Sequence, residues 1–155
     1  MRTPASVKGH PIHPMLIVFP IAFWIGSLIC DGIYHLGNQD PFWKDVAFYT
    51  MVGGLIGALL AAVPGLIDYR SIPVGRLKTI ATTHLALNLL VAGIYVFNLG
   101  LRYNGSPAGS LFPVALSVVA ILILSTSGWL GGALVYEHGV GVIEEKPMVR
   151  RDRAA

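Results

Sequence analysis

Long apolar runs alternate with short polar segments along this chain, and four of the runs are long enough to cross a lipid bilayer. They lie at about residues 15–34, 46–67, 79–101 and 111–136. Because an α-helix rises about 1.5 Å per residue, some 20 residues cross the hydrocarbon core of a membrane. The pattern therefore predicts an all-α protein, an integral membrane four-helix bundle.

The segments outside these runs are short. Residues 1–14 are predicted to form an N-terminal arm, residues 15–142 the four-helix transmembrane domain, and residues 143–155 a charged tail. Hydrophobic residues make up 54% of the 155 residues and charged residues 12%, whereas soluble domains average about 25% charged residues. Composition and length together favour one membrane bundle without a second folded domain.

Prolines set the expected ends and bends of the helices. His10 and His13 each precede a proline, which disfavours helical backbone angles, so both histidines are expected in extended or turn conformation. Pro14 is then expected to begin the first helix, and Pro20 is expected to kink it. Pro64 is expected to loosen the end of the second helix.

Basic residues are distributed unequally between the two sides of the predicted bundle. Nine of the 11 Lys and Arg residues flank the ends that share a side with both termini, and the other two are Lys44 and Arg102. Positive residues favour the cytoplasmic side of a membrane, so the pattern predicts that both termini are cytoplasmic. Because the positive charge flanks the spans, it indicates contact with the lipid bilayer and argues against a nucleic-acid partner.

Four crossings bring distant titratable residues to one side of the membrane. The first and third spans must start on the side where the second and fourth spans end. That side carries four of the five histidines and two carboxylates, namely His10, His13, Asp68, His84, Glu137 and His138. His84 lies about one and a half turns inside its span, where ionisable groups are costly and generally face the bundle interior.

Histidines on different helices can bind one metal inside a helical bundle, because neutral imidazole is a ligand for haem iron, copper and zinc. The sequence predicts His13 and His84 as the first ligand pair, with His10 and His138 as alternates. The favoured cofactor is b-type haem. The predicted function is electron transfer to or from a redox protein or a quinone, rather than the activity of a stand-alone enzyme.

Other groups at the same level are predicted to support such a cofactor. Asp68 or Glu137 is expected to orient a ligating histidine, and Arg70, Arg76 and Lys78 are expected to pair with cofactor carboxylates. Small residues of the second and fourth spans predict close helix packing, either within one bundle or between the copies of a homo-oligomer. These small residues are also expected to leave a slot for a flat porphyrin, and they include Gly53, Gly57, Ala61, Gly65, Gly128, Gly131 and Gly132.

Three alternatives stay open from the residues alone. The histidines are interfacial packing in a non-catalytic scaffold or accessory subunit, or they bind copper or zinc, or they relay protons. Transport is disfavoured, because Asn88 is the main deep polar residue besides His84. At the opposite end, Asp31 and His35 are interpreted as interfacial, and Cys30, the only cysteine, is interpreted as a small packing residue.

Two motifs resemble a family of four-span bacterial membrane proteins known as domain of unknown function 2231. The motifs are Gly9-His10-Pro11-Ile12-His13-Pro14-Met15 and Gly128-Trp129-Leu130-Gly131-Gly132, the second of which runs into Val135-Tyr136-Glu137-His138-Gly139. The resemblance covers about residues 8–142 and implies a four-helix bundle in the bacterial inner membrane. Some relatives are joined to iron–sulfur domains, which implies a redox role.

Overall fold

The computed structural model describes residues 2–105 and 110–142, so the predicted tail at residues 143–155 lies outside the described residues. Within the described ranges the chain forms a short β-hairpin and five helices. These elements are β1 (Ser6–Val7), β2 (His10–Pro11), α1 (Ile12–Leu16), α2 (Val18–Leu36), α3 (Pro41–Ser71), α4 (Arg76–Tyr103) and α5 (Phe112–Tyr136).

Four helical stretches in the described residues are long and apolar enough to cross a membrane. They are Ile12–Leu36, which combines α1 and α2, Pro41–Ser71, Arg76–Tyr103 and Phe112–Tyr136. The predicted all-α membrane bundle is therefore confirmed. Each stretch overlaps one predicted span, and α3 and α4 extend beyond theirs at both ends. The division into arm, transmembrane domain and tail stays a prediction.

The bundle consists of two helical hairpins. In the first hairpin α1 and α2 pack along α3, and in the second hairpin α4 packs along α5. Small residues of α3 allow the close approach, because a Cβ atom added to Gly54 would lie 2.3 Å from Trp24 Nε1. A Cβ atom added to Gly57 would lie 3.0 Å from Pro20 Cδ. The predicted small-residue packing of the second span is thus confirmed.

The two hairpins meet around a buried core near the middle of the bundle. Trp24 of α2 stacks on Tyr95 of α4, with ring centres 4.3 Å apart. Met51, Val91 and Ala120 are fully buried in the same cluster. Side chains from α2, α3, α4 and α5 thus fill the centre, and polar groups collect on either side of it.

The two polar regions lie at opposite ends of the interface between the hairpins, and we name each end after its residues. The histidine end contains His13 and His84, together with the N-terminal arm. The ion-pair end contains Asp31 and Arg102. Along α4, 18 residues separate His84 from Arg102, a distance of about 27 Å at 1.5 Å per residue. The two ends are therefore separated by nearly the full thickness of a bilayer core.

The first helix begins earlier than predicted. α1 begins at Ile12, so His13 is helical and the expectation of an extended or turn conformation there is wrong, whereas His10 lies in β2 as expected. Pro14 occupies the first turn of α1 instead of beginning the helix. The first turn tolerates proline because its backbone N–H groups have no partner within the helix.

The two internal prolines have different effects on their helices. α1 ends at Leu16 and α2 begins at Val18, because Pro20 has no N–H to bond the Leu16 carbonyl. Ile17 between them keeps helical backbone angles, with a φ of −63° and a ψ of −18°, so the expected kink stays a prediction. By contrast, α3 continues through Pro64 to Ser71, so the expected loosening there is wrong. Packing against α1 and α2 holds both sides of that proline in helical conformation.

The N-terminal arm is docked on the histidine end. β1 (Ser6–Val7) pairs with β2 (His10–Pro11) in an antiparallel hairpin, and Gly9 adopts a φ of 85° in the turn. The Ala5 N–H donates a hydrogen bond of 2.8 Å to Asp68 Oδ1. The sequence did not predict this hairpin, which ties the beginning of α1 to the end of α3.

Candidate functional site

Two imidazole rings approach each other at the histidine end, one from each hairpin. The ring centres of His13 on α1 and His84 on α4 lie 6.3 Å apart, and the ring planes are nearly perpendicular at 89°. Both side chains are half-buried. The structure therefore brings together the two residues that the sequence predicted as a ligand pair, and their role as ligands stays a prediction.

His13 is fixed within its own hairpin. Its Nδ1 atom lies 2.8 Å from the Ala61 carbonyl oxygen of α3. The ring rests on the helix backbone one turn further along, since a Cβ atom added to Gly65 would lie only 2.7 Å from Nδ1. A glycine at position 65 is thus what allows the imidazole to reach the carbonyl.

His84 is fixed in the same manner within the second hairpin. Its Nδ1 atom lies 2.8 Å from the Ser127 carbonyl oxygen of α5. A Cβ atom added to Gly131 would lie 3.1 Å from His84 Cε1, so this glycine too makes room for an imidazole. Asn88, one turn along α4, donates hydrogen bonds of 2.8 Å to the His84 carbonyl and to Ser127 Oγ.

These hydrogen bonds determine which ring nitrogen carries the proton. A carbonyl oxygen only accepts, so the Nδ1 atoms of His13 and His84 donate, and a neutral ring then keeps its lone pair on Nε2. Within the described residues His13 Nε2 has no hydrogen-bond partner, whereas His84 Nε2 accepts a hydrogen bond of 3.2 Å from Asn88 Nδ2. An Nδ1–H bonded to a carbonyl is the arrangement that orients metal-ligating histidines.

The other predicted cofactor residues lie at the same end without joining the pair. His10 and His138 are exposed, as are Arg70 and Arg76. Lys78 donates instead to the Tyr69 carbonyl and lies over the Tyr69 ring, with Nζ 3.5 Å from its centre. The predicted roles of these residues at a cofactor stay predictions.

Main-chain carbonyls, and not carboxylates, bond the Nδ1 atoms of His13 and His84. Asp68 is buried, and its Oδ1 atom accepts from the Ala5 N–H of the arm. Glu137 is exposed. The predicted role of Asp68 or Glu137 in orienting a ligating histidine stays a prediction.

The predicted porphyrin slot above the glycines is wrong for most of these positions. Side chains of the protein itself occupy the space above Gly53, Gly54, Gly57, Gly65 and Gly131. On α5 a Cβ atom at Gly128 or Gly132 would meet nothing within 4 Å. The small residues of these positions therefore accommodate aromatic and imidazole rings of the protein itself.

The sequence prediction missed a second polar cluster, at the ion-pair end. The Arg102 guanidinium donates to both oxygens of Asp31, at 2.7 and 2.6 Å, with side chains only 11% and 3% exposed. Arg102 Nε also donates to Asn98 Oδ1 at 3.0 Å. Asn98 Nδ2 donates to Ser117 Oγ at 2.9 Å and to the Pro113 carbonyl at 2.7 Å. We call Asp31, Arg102, Asn98 and Ser117 the ion-pair network.

The interfacial interpretation of Asp31 is therefore wrong, whereas buried Cys30 packs as predicted. A signal was present in the sequence. Asp31 and Arg102 carry opposite charges at the same end of two spans, and an unpaired charge there is costly. Asn98, four residues before Arg102, marks the helix face that turns inward.

Comparison with known proteins gives one informative match. The model of the family described as "Predicted membrane protein (DUF2231)" matches residues 9–144. The chain is also 29% identical over 122 residues to the Envelope glycoprotein C homolog of Suid herpesvirus 1 (strain Indiana-Funkhauser / Becker), covering 78% of this chain and 24% of the viral protein. The chain thus spans about a quarter of that curated relative. No solved structure gives a significant match.

Proposed function

This chain belongs to the DUF2231 family of membrane proteins, and we propose that its paired histidines bind b-type haem for electron transfer in a bacterial inner membrane. The observation that carries the proposal is the approach of His13 and His84 from separate hairpins, with ring centres 6.3 Å apart. Two imidazoles on opposite sides of one metal, with metal–nitrogen bonds of about 2 Å, have ring centres roughly 6 Å apart. The spacing suits a shared metal.

The number of protein ligands favours haem over a zinc site. Within the described residues no group of three or more His, Cys, Asp or Glu side chains lies together as a metal site. Zinc usually takes three or four protein ligands, whereas haem iron needs at most two from the protein because the porphyrin supplies four nitrogens. A copper ion held by two imidazoles is the second cofactor that this ligand set supports.

The chain's own residues would hold such a group between the hairpins. His13 and His84 supply Nε2 atoms, and the Ala61 and Ser127 carbonyls keep the rings in place. The exposed guanidinium groups of Arg70 and Arg76 are our candidates for pairing with the haem carboxylates. Bound haem iron would supply one-electron chemistry, by exchange between its ferrous and ferric states.

The proposed orientation places the histidine end on the cytoplasmic side. Nine of the 11 Lys and Arg residues flank that side, which supports cytoplasmic termini under the positive-inside rule. A redox protein or a quinone is the proposed partner. His84 lies about 12 Å along α4 from its first residue, Arg76. At this depth a cofactor would be accessible both to a soluble redox protein at the membrane surface and to a quinone in the bilayer.

The test is the visible spectrum of the protein, expressed with ample haem and purified in mild detergent. We expect a haem Soret band that shifts on reduction with dithionite. His13→Leu and His84→Leu should lose the band while the purified protein stays helical. His10→Leu and His138→Leu are matched controls and should keep it. A wild-type protein without a haem band contradicts the haem proposal, and stoichiometric copper without porphyrin would favour the copper site.

A second candidate function is that of a non-catalytic scaffold or accessory subunit. The supporting observation is that both rings fill space above glycines and bond main-chain carbonyls, as structural histidines do. Under this proposal the purified protein carries neither haem nor copper, and His84→Leu stays in the membrane with its partner. Metal analysis and co-purification from native membranes distinguish the two candidates.

A further inference from the structure

The Tyr95 hydroxyl is a buried polar group for which the protein provides no partner. Tyr95 is fully buried in the middle of α4, and its hydroxyl has no hydrogen-bond partner among the described residues. Its ring is held by stacking on Trp24, with centres 4.3 Å apart. A phenol kept in this position without a hydrogen bond would cost free energy, and phenylalanine would fill the same space without that cost.

Tyr95 continues a row of polar residues on the inward side of α4. Asn98 and Arg102 follow it at offsets of three and seven residues, which places all three on one helix face. Asn98 is fully buried and bonds Arg102. The Tyr95 side chain therefore shares a helix face with two residues of the ion-pair network, and its hydroxyl has no direct hydrogen bond to that network among the described residues.

The ion-pair network still has hydrogen-bonding capacity. Arg102 has five N–H groups, and its bonds to Asp31 and Asn98 use three of them. Each Asp31 oxygen accepts one bond from Arg102, and a carboxylate oxygen has room for a second. The ion-pair network thus keeps donors and acceptors that a further polar group can use.

We propose that the Tyr95 hydroxyl binds an internal water molecule that joins it to the ion-pair network. Water suits the site because it both donates and accepts, and buried waters typically make about three hydrogen bonds to otherwise unpaired groups. The bound water extends the polar network from one end of the bundle to the middle of the membrane. It stops at Val91 and Met51, which are fully buried and apolar. This site is independent of any cofactor at the histidine end.

The first test uses Tyr95→Phe, which removes only the hydroxyl. If the hydroxyl binds a water shared with the network, Tyr95→Phe lowers the Tm in lipid nanodiscs by about 2–4 °C, the shift that corresponds to one lost hydrogen bond in a protein of this size. An unchanged or raised Tm overturns the proposal, because an unpaired hydroxyl is destabilising. Tyr34→Phe, at another buried tyrosine ring of the same end, is the matched control and should change the Tm little.

The second test measures coupling between Tyr95 and the ion pair. We expect the Tm losses of Tyr95→Phe and Asp31→Asn to be non-additive, because Asp31→Asn weakens the ion-pair network to which the same water is bound. Additive losses overturn the link to the network. Experimental structures that resolve internal waters test the proposal directly. The wild-type structure should show a water within hydrogen-bond distance of the Tyr95 hydroxyl, and the Tyr95→Phe structure should lack it. A wild-type structure without that water overturns the proposal.

Discussion

The two ends of the interface between the hairpins use buried polar residues in opposite ways. At the ion-pair end, Asp31 of the first hairpin and Arg102 of the second bond each other directly with two hydrogen bonds. At the histidine end, His13 and His84 each bond a carbonyl of their own hairpin and meet only by an edge contact. The buried ion pair thus crosses the interface, whereas the imidazole bonds stay within each hairpin. At the histidine end the two hairpins are joined nearer the helix ends, where Lys78 and Thr82 of α4 bond Tyr69 of α3.

This difference indicates which end has polar atoms available to bind a ligand. In a buried ion pair each charge is neutralised by its partner, and removal of one partner leaves the other charge buried without compensation. Both imidazoles are oriented through Nδ1. His13 keeps its Nε2 lone pair for another atom, and a ligand at His84 Nε2 would replace the hydrogen bond from Asn88. We therefore assign a structural role to the buried ion pair, which joins the hairpins, and propose ligand binding at His13 and His84.

The largest expected effect comes from breaking the ion pair. Asp31→Ala leaves the Arg102 guanidinium buried without its carboxylate, and this should lower the free energy of unfolding by about 3–5 kcal/mol. Equilibrium unfolding of the bundle in mixed micelles measures it. The double variant Asp31→Asn with Arg102→Gln removes both charges and should recover most of the loss. A loss below about 1 kcal/mol for Asp31→Ala would show that the ion pair does not hold the hairpins together.

A smaller effect on the free energy of unfolding is expected at Gly65, against which the His13 ring packs. Gly65→Ala places a methyl group 2.7 Å from His13 Nδ1 and should displace the ring from the Ala61 carbonyl. Overpacking of this kind costs about 1–3 kcal/mol of unfolding free energy. The matched control is Gly128→Ala, where the added methyl group meets no atom within 4 Å. Equal unfolding free energies for the two variants would contradict the proposed role of Gly65.

The smallest effects are expected at the exposed histidines. His10→Leu and His138→Leu remove imidazoles that are exposed at the histidine end, so each should change the free energy of unfolding by no more than about 0.5 kcal/mol. The same unfolding experiment measures both variants. A loss comparable to that of Gly65→Ala would mean that the site extends beyond His13 and His84.

The sequence predicted the membrane spans because hydrophobic length is a local property of the chain. Each crossing depends on some 20 apolar residues and on little else. Four crossings then place His13 and His84 on one side whatever the details of packing. The sequence also predicted the close packing around Gly57, because small residues at four-residue spacing lie on one helix face and let an adjacent helix approach closely.

The partners of the polar groups depended on tertiary structure. Every residue has a carbonyl, so only the relative rotation of the helices selects Ala61 for His13 and Ser127 for His84. Asp31 and Arg102 lie 71 positions apart, and their pairing requires both inward faces to be known. The sequence alone thus determined which residues lie at each end of the bundle. Helix rotation and packing decided which of them touch, because hydrogen bonds need alignment within a few tenths of an ångström, whereas burial in lipid does not.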